Sequence, residues 1–226
     1  MLPTALRANL CRSPNPPSTT YSSTERDPDM AEKTMIEAVR DAMRDEMKRD
    51  DRIIVMGEDV GSGGVFRATE GLMDEFGPNR VLDTPLAEAC IVGSAIGASL
   101  NGIIPIAELQ FADFSHPALD QIVSEAARLH YRSNGAWNCP ITVRTPYGAG
   151  IHGGPYHSQS IEAFYAHVPG LKVICVATPY DAKGLLKSAI RDPNPVVFLE
   201  HKKAYRSVKQ EVPDEDYTLP IGVAEV

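Results

Sequence analysis

The apolar positions of this chain fall into two recurring patterns. Ile36, Val39, Met43 and Met47 recur at helical spacing with charges between them, which predicts an amphipathic helix starting soon after Ala31. Ile53–Met56 is instead an uninterrupted apolar run closed by Gly57, the pattern of a buried strand. The alternation continues. Glu70–Phe76 predicts a short helix stopped by Gly77-Pro78, and Glu88–Leu100 a helix rich in small residues, stopped by Asn101-Gly102. Ile103–Leu109 reads as a strand, and Pro117–Tyr131 as an amphipathic helix with Leu119, Ile122, Ala126 and Leu129 on one face. Further on come a strand at Ile141–Arg144, a long Gly-rich loop over 145–160, a strand at Lys172–Val176, a helix at Tyr180–Ile190 and a strand at Pro195–Leu199.

Strands that are continuous apolar runs, separated by helices, imply an α/β fold: a parallel sheet sandwiched by helices on both faces. Ligands of such folds bind beyond the carboxyl ends of the strands. Four segments therefore matter most: Gly57–Phe66, Asp83–Glu88, Gln110–Asp113 and 145–160.

Composition narrows the function classes. A net charge of −8 argues against a nucleic-acid binder, and no apolar run is long enough to span a membrane. Cys11, Cys90, Cys139 and Cys175 lie far apart with no C-x-x-C pair, so reduced thiols in a reducing compartment fit better than zinc or a disulfide framework. Residues 1–30 differ from the rest. Residues 1–24 hold Arg7 and Arg12, no acid, several prolines and a Ser/Thr run, the composition of a disordered extension. Two readings stand: a transit peptide, which would place the protein in the mitochondrial matrix, or an upstream extension with Met30 as the functional start, which leaves it cytoplasmic.

Taken singly, the candidate residues leave alternatives open. Gly61–Gly64 follows a strand but matches no phosphate-binding motif and reads as a turn. Glu88 opens an otherwise apolar helix, either as an acid favoured by the helix dipole or as a carboxylate held in an apolar pocket for a ligand. His152 and His157 are exposed loop residues or, given their place after a strand, members of an active site. Gln110 and Phe114 could contact a ligand by hydrogen bond and by ring stacking, or simply pack and cap. No G-x-S-x-G and no metal-ligand spacing is present.

Together these segments resemble a known family. Gly57-Glu58-Asp59-Val60, Gly64-Val65-Phe66-Arg67, Asp83-Thr84-Pro85-Leu86-Ala87-Glu88, Gln110-Phe111-Ala112-Asp113 and Tyr156-His157-Ser158-Gln159-Ser160 follow the order seen in beta subunits of thiamine-diphosphate-dependent 2-oxo acid dehydrogenases. Pro169–Val173 and Asp181–Leu186 extend the likeness, which runs from about Met35 to Val226. The resemblance implies a transketolase-like pyrimidine-binding fold over 31–210. The cofactor would be shared with an alpha subunit of an alpha2-beta2 assembly, which holds Mg²⁺ through a Gly-Asp-Gly motif absent here. It assigns Glu88 to the aminopyrimidine N1′, where a carboxylate favours the imino tautomer that takes up the thiazolium proton. Leu86, Gln110 and Phe114 match cofactor-contacting positions, Phe114 standing where relatives often have Tyr. His157 matches the histidine of acyl transfer to the lipoyl arm of an acyltransferase core, with His152 behind it. Some relatives hold K⁺ on carbonyls near Ile141, Thr142, Ala189, Asp192 and Asn194.

Gln159 after His157-Ser158, where pyruvate-type relatives tend to carry an acid, favours branched-chain 2-oxo acids such as 2-oxoisovalerate over pyruvate. Family members continue into a further carboxyl-terminal domain, so 211–226 is expected to be a linker toward it. A non-catalytic chain that only pairs with partner subunits is the rival reading.

Overall fold

The computed structural model describes residues 30–223. Apart from Met30, the extension expected over residues 1–30 lies outside them. The chain runs β1 (Met30–Thr34), α1 (Met35–Arg49), β2 (Ile53–Gly57), α2 (Leu72–Phe76), β3 (Val81–Asp83), α3 (Glu88–Leu100), β4 (Ile104–Glu108), α4 (Leu129–Arg132), β5 (Thr142–Tyr147), α5 (Glu162–Ala166), β6 (Lys172–Val176), α6 (Pro179–Ile190), β7 (Val196–His201), α7 (Ala204–Ser207) and β8 (Lys209–Pro213).

Six strands form a parallel sheet in the order β3-β2-β4-β5-β7-β6. Helices cover both faces, as the continuous apolar strands require. One core layer joins α1 and α6 to the sheet through Met35, Val39, Met43, Leu186, Ile190 and Phe198. The opposite layer joins α3, the 112–132 stretch and α5 through Ile91, Val92, Ile122, Tyr165, Val197 and Leu199. α1 starts where its sequence says it should. The Thr34 hydroxyl accepts the Glu37 N–H, while the Glu37 carboxylate accepts the Thr34 N–H at 2.8 Å, closing a capping box.

The stretch expected as one helix over Pro117–Tyr131 is helical but irregular. Tightly wound segments at Ala112–Ala118 and Ala126–Arg128 flank a wide turn at Gln121–Glu125 before α4. Pro117 lacks the N–H that a regular ladder would use. Its apolar face still points inward as read, with Ile122, Ala126 and Leu129 buried. Expected boundaries elsewhere shift by a few residues: β5 runs on to Tyr147 and α2 begins at Leu72.

β1 and β8 pair antiparallel as a separate two-stranded ribbon, from Met30 opposite Pro213 to Thr34 opposite Lys209. The segment after 210, read from sequence as a linker, thus begins inside the ribbon. It continues along α6, where the Tyr217 ring stacks on Tyr180 and the Leu219 N–H donates to the Gly184 carbonyl.

Candidate functional site

Strand polarity gathers the flagged loops at the carboxyl edge of the sheet. The connection leaving β2 runs to β3 on one side, and the connection leaving β4 runs to β5 on the other. The two strands lie side by side, so a crevice opens between their ends. Glu58 and Asp59 follow β2 and Gln110 follows β4. They meet across the crevice, with the Gln110 amide donating to Asp59 Oδ2 at 3.1 Å. Asp59 takes a left-handed backbone conformation (φ 55°), which turns the chain sharply off the strand.

Glu88 arrives from β3 as the first residue of α3. Its side chain makes no capping hydrogen bond and no ion pair among the described residues, yet it is only 9% exposed. Glu58, 8% exposed, lies close enough to feel it. Burial above all, then the charges of Glu88 and Asp59, holds the Glu58 carboxyl above its ordinary range. Glu58 Oε1 has no hydrogen-bond partner among the described residues. Two adjoining buried carboxylates without a cation are costly for a fold and are the mark of a ligand site. Sequence reasoning placed Glu58 and Asp59 in a flagged loop but gave them no role. The available signal was their position directly after an apolar strand.

A second cluster lies one residue further on. The His157 ring packs edge-on against Phe111 and Phe114, at centroid separations of 4.6 and 5.3 Å. Phe114 and His157, read from separate segments, are therefore brought together. His157 Nδ1 lies 3.0 Å from the Gly153 carbonyl. A carbonyl only accepts, so in the neutral ring Nδ1 carries the proton and Nε2 keeps its lone pair for other chemistry. His152 is exposed, with φ 58°, and takes no part in this aromatic cluster. Leu86 is 78% exposed.

Behind both clusters the strand ends carry a buried ion network that sequence reasoning missed. Arg144 on β5 donates to both oxygens of Glu200 on β7, each at 2.7 Å, and pairs with Glu108 on β4. Burial above all raises the Glu108 carboxyl, against the pull of Arg144. The Tyr205 hydroxyl donates to Glu200, and its ring leans on Phe66, which packs on Phe111. Gly64 (φ +72°) is required here, because a Cβ would come within 2.8 Å of Glu108 Oε1.

The residues read as a K⁺ site lie at the other edge of the sheet. Ile141 and Thr142 open β5, while Ala189, Asp192 and Asn194 surround the turn into β7. The Val196 N–H donates to the Ile141 carbonyl and the Cys139 N–H to the Pro193 carbonyl, so the two segments are joined. The Asp192 carboxylate is taken up by Lys172 and by the Asn194 N–H. Among the described residues no group of three or more His, Cys, Asp or Glu side chains could hold a metal, and no helix is long and apolar enough to cross a membrane.

Comparison with known proteins agrees with the fold. The sequence is 60% identical over 198 residues to the 2-oxoisovalerate dehydrogenase subunit beta of Bacillus subtilis (strain 168). It is 55% identical over the same length to that organism's pyruvate dehydrogenase E1 component subunit beta; each alignment covers 87% of this chain and 61% of the relative. The mitochondrial 2-oxoisovalerate dehydrogenase subunit beta of Dictyostelium discoideum is 52% identical, over 85% of this chain and 52% of its own. The chain thus spans between half and two thirds of the length of these relatives. A solved split-gene transketolase, described as an inactive beta4 tetramer, shares the fold at 22% identity and a TM-score of 0.59, over 74% of this chain and 50% of its own. Residues 31–208 match the family described as transketolase, pyrimidine binding domain, and the chain belongs to that family.

Proposed function

We propose that this chain is the pyrimidine-binding half of a thiamine-diphosphate site in a 2-oxo acid dehydrogenase, acting on branched-chain 2-oxo acids with an alpha subunit as partner. The observation that carries the reading is the Glu58–Glu88 pair. Glu88 is buried at the start of an apolar helix with no cation paired to it among the described residues, which leaves its carboxylate as an acceptor for a ring nitrogen of a ligand. The residues present fit an aminopyrimidine: a buried carboxylate as acceptor, the Gln110 amide, and the Phe114 ring as an apolar wall. Thiamine diphosphate, when bound, supplies the electron sink for loss of CO₂ from the 2-oxo acid.

The roles of this chain's own residues follow. Glu88 holds a proton at the ring nitrogen. Gln110, tied to Asp59, fixes the crevice wall. His157, with Nε2 unprotonated, moves a proton during transfer of the acyl group to a lipoyl arm of the acyltransferase core. Exposed Leu86, Val65, Ile151 and Tyr156 on these loops give a partner subunit an apolar surface to cover. That subunit would also hold the Mg²⁺, since the described residues of this chain offer no group of three or more His, Cys, Asp or Glu side chains for a metal. The carbonyls of Ile141, Thr142, Ala189, Asp192 and Asn194 would hold K⁺ as a structural ion remote from the crevice. Similarity to the 2-oxoisovalerate relative, together with Gln159 after Ser158, supports the branched-chain assignment.

The test is reconstitution with a cognate alpha subunit, Mg²⁺ and thiamine diphosphate, comparing 2-oxoisovalerate with pyruvate. Glu88→Gln, which keeps size and removes the proton-sharing charge, should lower decarboxylation on the order of a hundredfold or more while leaving subunit assembly intact. Activity of the variant close to wild type removes the assigned role. Assembly without cofactor-dependent turnover by the wild type favours a pairing chain with no catalytic part.

A further inference from the structure

We propose that Lys202 is a positioning residue for His157, acting through Asp113 as an electrostatic brace on the neck of the histidine loop; the positioning half of this rests on the role given to His157 above. The loop closes where the Gly148 N–H donates to the Gln159 carbonyl at 2.9 Å. The entering side of that neck rests on the segment His201–Lys203, and the leaving side is held by Asp113.

On the entering side the contacts are close. A Cβ on Gly148 would strike the His201 imidazole, and one on Gly150 would press the Lys203 Cβ. The Lys202 N–H donates to the Tyr147 carbonyl at 3.1 Å, which ties the same segment to the end of β5. On the leaving side the Gln159 N–H donates to Asp113 Oδ1 at 3.2 Å.

Asp113 is 7% exposed, and its second oxygen has no hydrogen-bond partner among the described residues. Lys202 is 5% exposed, and its ammonium likewise has none. The ammonium lies 5.3 Å from the centre of the Phe111 ring, the ring that packs on His157. Burial pulls the Lys202 pKa down, and the charge of Asp113 is what opposes it. Asp113 is thus the opposing charge for the buried Lys202, and the same carboxylate accepts the Gln159 N–H two residues beyond His157.

Amide hydrogen exchange on this chain reads the brace directly. In Lys202→Met the stem still covers Phe111 but the charge is gone, so the Gln159 amide should exchange about tenfold faster than in wild type, and Lys202→Arg should restore protection. Lys202→Met leaves Asp113 buried without the opposing charge, so the Met variant is expected to be less stable than wild type. Asp113→Asn, close in size, provides a second route and should show the same acceleration. Unchanged Gln159 exchange in Lys202→Met, or in Asp113→Asn should the Met variant not fold, overturns the brace.

In the assembled enzyme, Lys202→Met should reduce acyl transfer to a lipoyl acceptor about tenfold more than decarboxylation coupled to an artificial electron acceptor. Equal loss in both assays overturns the positioning role. A wild-type assembly without thiamine-dependent decarboxylation instead sinks the reading of the site, while Gln159 exchange still decides the brace.

Discussion

Glu58 and Glu88 lie near enough at the carboxyl edge of the sheet for their charges to interact, with no cation paired to either among the described residues, and that arrangement has a cost the free chain carries at neutral pH. The native carboxyl of Glu58 is raised by burial and by its acidic neighbours, so the folded state binds that proton more tightly than the unfolded one does. Stability from this group is therefore greatest below the ordinary carboxylate pKa of about 4.3 and falls as pH climbs through the raised native value. Glu58→Gln should raise the urea midpoint at pH 7, by an amount under about 1 kcal/mol because the group is partly screened, and should leave it unchanged at pH 4. A variant as stable as wild type at both pH values would show that neither burial nor the neighbouring acids raise the Glu58 carboxyl. Glu88 drew notice because it opens an apolar helix, and Gln110 and His157 because their loops follow apolar strands. Their neighbours did not. The pairing of Glu58 with Glu88 depends on β3 lying next to β2, and the Lys202–Asp113 relation on the path of the 148–159 loop. No local pattern encodes either.

Elements were legible in proportion to their length and periodicity. α1, α3 and α6 follow from apolar spacing, and β2, β4, β6 and β7 from apolar runs bounded by breakers. Three-residue β3, one-turn α5 and α7, and the β1–β8 ribbon carry too few positions for a period to show. The ribbon strand Met30–Thr34 is half-exposed and polar, and only its partner 175 or more residues away defines it. Charges inside otherwise apolar strands were the unread signal at this scale. Glu108, Arg144 and Glu200 sit on three neighbouring strands and hold them in lateral register. Arg144→Met would leave two buried carboxylates without their cation and should cost about 3–5 kcal/mol at pH 7. The loss should shrink toward pH 5, since protonation of a carboxyl already raised by burial relieves it. Urea unfolding at the two pH values measures both. A variant that unfolds like wild type would mean that the network contributes nothing net.

At the scale of the whole molecule, the two ends of the parallel strands differ in what they gather. The carboxyl edge gathers the lone acids, the aromatic cluster around His157, and loops bearing exposed Val65, Leu86, Ile151 and Tyr156. An apolar rim beside uncompensated charge is stable only when something covers it. If that cover is an alpha subunit, its binding to the native state alone raises the melting temperature with its concentration, by about 5–10 °C when it is present at roughly a hundred times its dissociation constant. A scanning calorimetry titration checks this, and a melting temperature indifferent to the added subunit would remove the proposed partner.

The ribbon joining β1 and β8 has a mechanical side as well. Because Met30 faces Pro213 and Thr34 faces Lys209, the outer ends of both strands leave from one point, like the two tabs of a zip. A load applied between residues 30 and 213 falls on one rung at a time rather than on all of them together. Tension applied at those two residues should open this clasp gently, sparing the parallel sheet behind it.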